Sequence, residues 1–131
     1  MEMKKELAGQ LKNLGAAAVY VFGSTAEALT QPESDIDLAI LMHPESDSKD
    51  FVQLYTNLYD ILTQVFPGKK LDIVPLQRSP LELRFDVISH GRVIFESDSN
   101  LRLDFEEQTA RQYADFKPVL KNFNQAILNR I

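Results

Sequence analysis

The chain has 131 residues, a formal net charge of −5 and no cysteine. That length accommodates one core and one site, so a single domain over residues 1–131 is expected, with no room for a second catalytic domain. An acidic balance argues against blanket binding to a nucleic-acid backbone, and no direct nucleic-acid binding is expected. The missing thiols exclude disulfides, cysteine-ligated zinc and thiol catalysis.

The first helix is expected from Glu2 to Leu14, where Leu7, Leu11 and Leu14 share a face and Gly15 is a natural stop. Charges interrupt the leucines here, so the apolar core of a secretion signal is lacking. No apolar run reaches membrane-spanning length. A cytoplasmic protein without membrane contact is expected.

Ala17 to Phe22 is an apolar run rich in strand formers that ends at Gly23, and it reads as a buried strand. A turn or helical segment over Thr25 to Leu29 and a loop over Gln31 to Ser34 follow. Asp35 to Met42 reads as a second strand, closed by His43-Pro44. A second helix is expected over Lys49 to Phe66, with Phe51, Leu54, Tyr55, Leu58, Ile61, Leu62 and Val65 on its apolar face. Pro67-Gly68 ends it.

Lys70 to Leu76 reads as a third strand. Ser79-Pro80-Leu81-Glu82 has the residues of a capped helix start, with Ser79 as the cap and Glu82 reaching back to its amide. That helix is expected to stop at Gly91, and Arg92 to Glu96 to form a fourth strand. Residues 98–131 read as helical throughout, with an apolar stripe from Leu101 and Phe105 through Tyr113, Phe116, Leu120, Phe123, Ile127 and Ile131. At about 1.5 Å per residue a continuous helix of this length is roughly 50 Å long, more than the width of such a domain. Either it bends at Pro118, or part of its stripe packs on a partner. A stripe that only closes the domain's own core is the competing reading. Strands alternating with helices give an α/β class, a small mixed sheet flanked by helices with a long C-terminal helix.

Asp35 and Asp37 stand two apart on a strand, so their side chains share a face while Ile36 and Leu38 take the other. Two such charges repel by roughly 3 kcal/mol at about 5 Å and an effective dielectric near 20, and something positive should offset that. Hard oxygen ligands with no histidine or cysteine beside them suit Mg²⁺, with Mn²⁺ as a substitute, rather than zinc. Alone, an Asp-x-Asp pair is more often a solvated pair of strand carboxylates. Gly23-Ser24 follows an apolar strand, where glycine lets a ligand approach the backbone and the amides and hydroxyl can hold phosphate oxygens. A tight turn is the plainer reading of Gly-Ser. Asp72 is a polar residue within an apolar strand, placed either on an exposed face or in a site. His43 and His90 read as a loop residue and a helix-end residue. Arg78 and Arg84 read as solvated helix-face arginines, and Tyr55, Tyr59 and Tyr113 as core or interface residues.

Taken together, Gly23-Ser24, ten intervening residues, Asp35-x-Asp37 and Asp72 on a later strand resemble the minimal nucleotidyltransferase (MNT) family of the DNA polymerase beta-like nucleotidyltransferase superfamily. The resemblance spans nearly the whole chain and implies the polymerase beta-like nucleotidyltransferase fold. By that resemblance Gly23 and Ser24 hold the nucleotide's terminal phosphates, while Asp35, Asp37 and Asp72 carry the metal and the catalysis. Asp72 additionally helps activate an acceptor hydroxyl. ATP is the implied substrate, and a nucleoside monophosphate is transferred with loss of pyrophosphate. Many small members resemble antitoxins paired with a HEPN-domain ribonuclease toxin, which implies a hetero-oligomer in which AMP passes to a toxin tyrosine. Glu27 and Ala28 depart from the arginine and glycine common in the family, which bears on nucleotide affinity. They favour a second reading, a non-catalytic module that neutralises its partner by contact. A third is transfer to a small molecule of the aminoglycoside type, against which the lack of a second substrate-binding domain counts.

Overall fold

Four strands, β1 (Ala16–Phe22), β2 (Ile36–Met42), β3 (Leu71–Pro75) and β4 (Arg92–Glu96), form one mixed sheet in the order β3-β2-β1-β4. The coordinates are a computed structural model that describes residues 3–23, 35–47 and 50–129. The expected turn over Thr25 to Leu29 and the loop over Gln31 to Ser34 lie outside them. β1 pairs antiparallel with both β2 and β4, and β2 pairs parallel with β3. Four α-helices accompany them among the described residues: α1 (Lys5–Asn13), α2 (Phe51–Val65), α3 (Leu81–His90) and α4 (Ser99–Asn129). Short 3₁₀ turns at Pro44–Ser46 and Leu76–Arg78 follow β2 and β3.

Strand alternation divides the core in two. Val19 and Val21 of β1 and Ile36, Leu38 and Ile40 of β2 meet Leu7 and Leu11 of α1 and Leu54, Leu58, Ile61 and Leu62 of α2. On the other face Ala18, Tyr20, Ala39 and Leu41 pack with Val87 of α3 and the partly buried Leu101 and Phe105 of α4. Both faces of β1 and β2 are thus covered, and their near-continuous apolar runs follow from that. Gly15 ends α1 with φ +94°, and a Cβ there would stand 2.1 Å from the Ser46 Cβ, so only glycine fits between helix and turn.

One detail differs from expectation. α3 starts at Leu81 with Pro80 at its cap position and no side-chain cap. The Ser79 hydroxyl donates instead to the Pro75 carbonyl at 2.8 Å, because the 3₁₀ turn at Leu76–Arg78 folds it back on the strand it follows. α4 is the long C-terminal helix expected, and it runs unbroken from Ser99 to Asn129 with Pro118 inside it. Asp98 Oδ1 accepts from the Leu101 amide, Ser97 Oγ donates to the Ala16 carbonyl, and the Tyr20 hydroxyl donates to Glu106 Oε2 at 3.1 Å. Arg102 joins Glu96 and Glu106 in ion pairs beside this contact. Further along, Tyr113 stacks on Phe85 with ring centres 3.9 Å apart. Beyond Tyr113 the helix continues for about 24 Å, and there Phe116, Val119, Phe123, Ile127 and Leu128 are exposed. The stripe therefore splits: its first half closes the core and its second half is bare.

Candidate active site

The site lies where β1 ends and β2 and β3 begin. Antiparallel pairing sets Phe22 opposite Asp37, and parallel pairing sets Asp37 opposite Asp72. Register neighbours share a face, so Phe22, Asp37 and Asp72 form one row across three strands. The row is on the Ala39 and Leu41 side, the side that α3 and α4 cover further along the sheet. Asp35 lies just before β2 on the same alternation. Asp35 and Asp72 are exposed, and Asp37 is half-buried.

Burial pushes the Asp37 carboxyl above its ordinary range, and the charges of Asp72 and Asp35 push it further the same way. All three carboxylates are thus electrostatically coupled, with Asp37 at the centre. Among the described residues no three His, Cys, Asp or Glu side chains converge as a ready cage for a metal ion. The donor set nonetheless fits magnesium, which keeps several waters and is bound through one or two carboxylates together with substrate phosphates. Gly23 follows Phe22 with φ +77°, a conformation natural only to glycine, and it turns the chain sharply out of β1 beside Asp37. Ser24, Glu27 and Ala28 lie outside the described residues.

The histidines and arginines singled out in the sequence are placed away from this row or are already engaged. His43 stands at the opposite end of β2, about 20 Å along the strand from Asp37, and its Nε2 is 3.7 Å from Asp98. His90 Nδ1 is 3.1 Å from Asp86. Arg78 pairs with Asp47 at 2.8 Å and lies over the Phe51 ring, while Arg84 donates to Gln112 Oε1. Arg92 is also at the carboxylate end of the sheet, but it is in register with Val21 and so on the face opposite the carboxylate row. Its place at that end depends on β4 pairing with β1, which periodicity does not encode.

A four-stranded mixed sheet, an in-register carboxylate pair at its end and a glycine turn beside them define a nucleotidyltransferase architecture. The family model described as "Polymerase beta, Nucleotidyltransferase" matches residues 5–100, and the chain belongs to that family. Comparison with curated proteins gave no significant match. Among solved structures, a chain of a mutant MntA–HepT toxin–antitoxin pair is similar at 20% identity and TM-score 0.65, over 95% of this chain and 94% of that one. A toxin–antitoxin structure with AMP-PNP is similar at 22% identity and TM-score 0.63, covering 94% and 96%. A third, the tri-AMPylated Shewanella oneidensis HEPN toxin in complex with MNT antitoxin, is similar at 19% identity and TM-score 0.58, covering 98% of both chains. Among the described residues no helix is long and apolar enough to cross a membrane.

Proposed function

We propose that this chain is a cytoplasmic, magnesium-dependent protein adenylyltransferase that moves AMP from ATP to a tyrosine of a HEPN-domain toxin and thereby neutralises it. The observation that carries this reading is the Asp37–Asp72 row with Asp35 beside it. Three coupled carboxylates at a strand end are costly without a cation, and a nucleotidyltransferase needs them there. Family membership supplies the reaction class. The neighbours solved with AMP-PNP and with an AMPylated HEPN toxin support the nucleotide and the acceptor. A bare apolar stripe on the outer half of α4 supports a protein partner.

In this reading Asp35, Asp37 and Asp72 would hold Mg²⁺. When bound, such an ion would supply neutralisation of phosphate charge. Gly23 and Ser24 hold the terminal phosphates through backbone amides and the hydroxyl. Asp72 orients the tyrosine hydroxyl and draws its proton. The phenolic oxygen forms a bond to the α-phosphorus, the bond from that phosphorus to the α,β-bridging oxygen breaks, and pyrophosphate leaves with the electron pair. The product tyrosine carries a bulky anion that obstructs RNA at the toxin.

Label transfer tests this. The protein and its co-purifying partner are incubated with Mg²⁺ and ATP labelled at the α-phosphate, beside the Asp35→Asn, Asp37→Asn double variant. Partner-bound label that the variant lacks is the expected result. No label from an intact wild-type complex would overturn the transferase and leave neutralisation by contact.

A further inference from the structure

The free edge of the sheet lies next to the carboxylate row. β3 is an end strand in the order β3-β2-β1-β4, and among the described residues nothing pairs with its outer side. Its polarity can be read from one bond. The Lys70 carbonyl accepts from the Ile36 amide at 2.9 Å, so the backbone groups of Lys70, Asp72 and Val74 face β2. Those of Leu71, Ile73 and Pro75 then face outward. Pro75, with no N–H, sits at an outward position, where a sheet tolerates it, and closes the edge there. The short stretch that remains able to accept another strand is the one that contains Asp72.

A second feature adjoins the same edge. Phe51, Val52, Tyr55, Thr56 and Tyr59 of α2 and Ile73 of β3 line an open, mainly apolar groove of about 390 Å³. The Phe51 and Tyr55 rings stack with centres 4.4 Å apart, while Val52 is 74% exposed and Tyr59 40% exposed. The groove is on the Ile73 face of the strand, opposite the face that carries Asp72.

We propose that the acceptor protein presents its hydroxyl on an extended segment that pairs with the outer edge of β3. This rests on the transferase reading above and specifies how its acceptor is held. Register neighbours in a sheet point to the same face. A residue paired opposite Asp72 therefore becomes the fourth member of the Phe22–Asp37–Asp72 row, roughly 5 Å from Asp72 between strands. Its hydroxyl emerges beside the carboxylates. The residues before and after it point to the other face, into the Phe51, Tyr59 and Ile73 groove, and so should be apolar. Backbone pairing supplies affinity and the groove supplies selection, as in other strand-addition complexes. The occupant follows from continuity with the carboxylate row: the edge segment that can accept a strand is the segment that contains Asp72.

The test uses the full chain and its co-purifying partner. Ile73→Pro removes the outward N–H without touching a bond to β2, and Val52→Glu with Tyr59→Ala spoils the groove at exposed positions that the fold does not need. Label transfer to the partner is measured together with Mg²⁺·ATP binding by calorimetry, and hydrogen exchange at Ile73 is followed with and without the partner. The expected result is a tenfold or greater loss of transfer in both variants, unchanged Mg²⁺·ATP binding, and slowed Ile73 exchange in the wild-type complex. Transfer within twofold of wild type in the groove variant, or Ile73 exchange unaffected by a partner that is being labelled, overturns edge presentation and leaves the transferase standing. Absence of label from the wild type itself overturns both.

Discussion

The two faces of β2 do opposite work from one heptapeptide and the residue before it. Ile36, Leu38, Ile40 and Met42 point into the α1 and α2 side and are all but inaccessible. Asp35, Asp37, Ala39 and Leu41 point the other way, where the far half is core and the near half is a cluster of like charges. Stability is bought on the first face and spent at one end of the second. A strand buried on one side by long aliphatic residues can hold repelling carboxylates on the other in a fixed register. Substitutions on the two faces should therefore separate stability from activity.

The largest stability change is expected from Leu38→Ala. It leaves a cavity between the sheet and α2 and should cost about 3 kcal/mol, a large share of a marginal total. Thermal or urea unfolding checks it, and a change under about 1 kcal/mol would mean that this face is not the structural one. Asp37→Asn, one residue away, should reverse the pattern. Label transfer is expected to fall about 100-fold or more, while stability at neutral pH stays level or rises.

The same residue fixes the sign of a pH effect. Asp37 has its folded pKa raised above the unfolded value, so its contribution to stability is fully present below the ordinary aspartate range. It is lost as pH rises through the folded pKa. Wild type should lose stability relative to Asp37→Asn as pH climbs out of the acid range, in buffer without divalent ions. Mg²⁺ with ATP should restore it at pH 7 in the wild type only. Parallel stability curves for the two proteins would show that the carboxylates do not strain one another in the fold.

The elements were legible because local composition settles them. Ala17 to Phe22 is too apolar and too short for a surface helix, Gly15 and Gly91 stop helices, and Asp35 and Asp37 had to share a face whatever the sheet looked like. Pairing was not legible. That Asp72 stands opposite Asp37 depends on β3 running parallel beside β2, and that Arg92 shares the site's end of the sheet depends on β4 beside β1. Both are contacts between distant segments, and the alternation within each strand is the same for any partner. Ser79 misled because a serine before proline has the composition of a cap, while the 3₁₀ turn that redirects its hydroxyl to Pro75 leaves little trace in composition. The stripe on α4 kept one period from Leu101 to Ile127, so nothing in it marks where the domain's own contacts end.

That boundary yields the smallest expected stability change and the clearest division within one helix. Phe105 and Phe123 are eighteen residues apart, five turns, and so point the same way from the helix axis. Phe105 packs against the second core cluster, whereas Phe123 is 62% exposed. If the outer stripe serves only the domain, aspartate at either position should unfold it. If the outer half is a partner face, Phe123→Asp should alter unfolding by no more than about 0.5 kcal/mol, as exposed positions do, yet release the co-purifying protein. Size-exclusion chromatography of the co-expressed pair measures this directly. Loss of the complex with an unchanged melting curve places the partner on the outer half of α4. Loss of both would show that residues 114–129 fold back onto the chain in solution, and the extended stripe would no longer argue for a protein substrate.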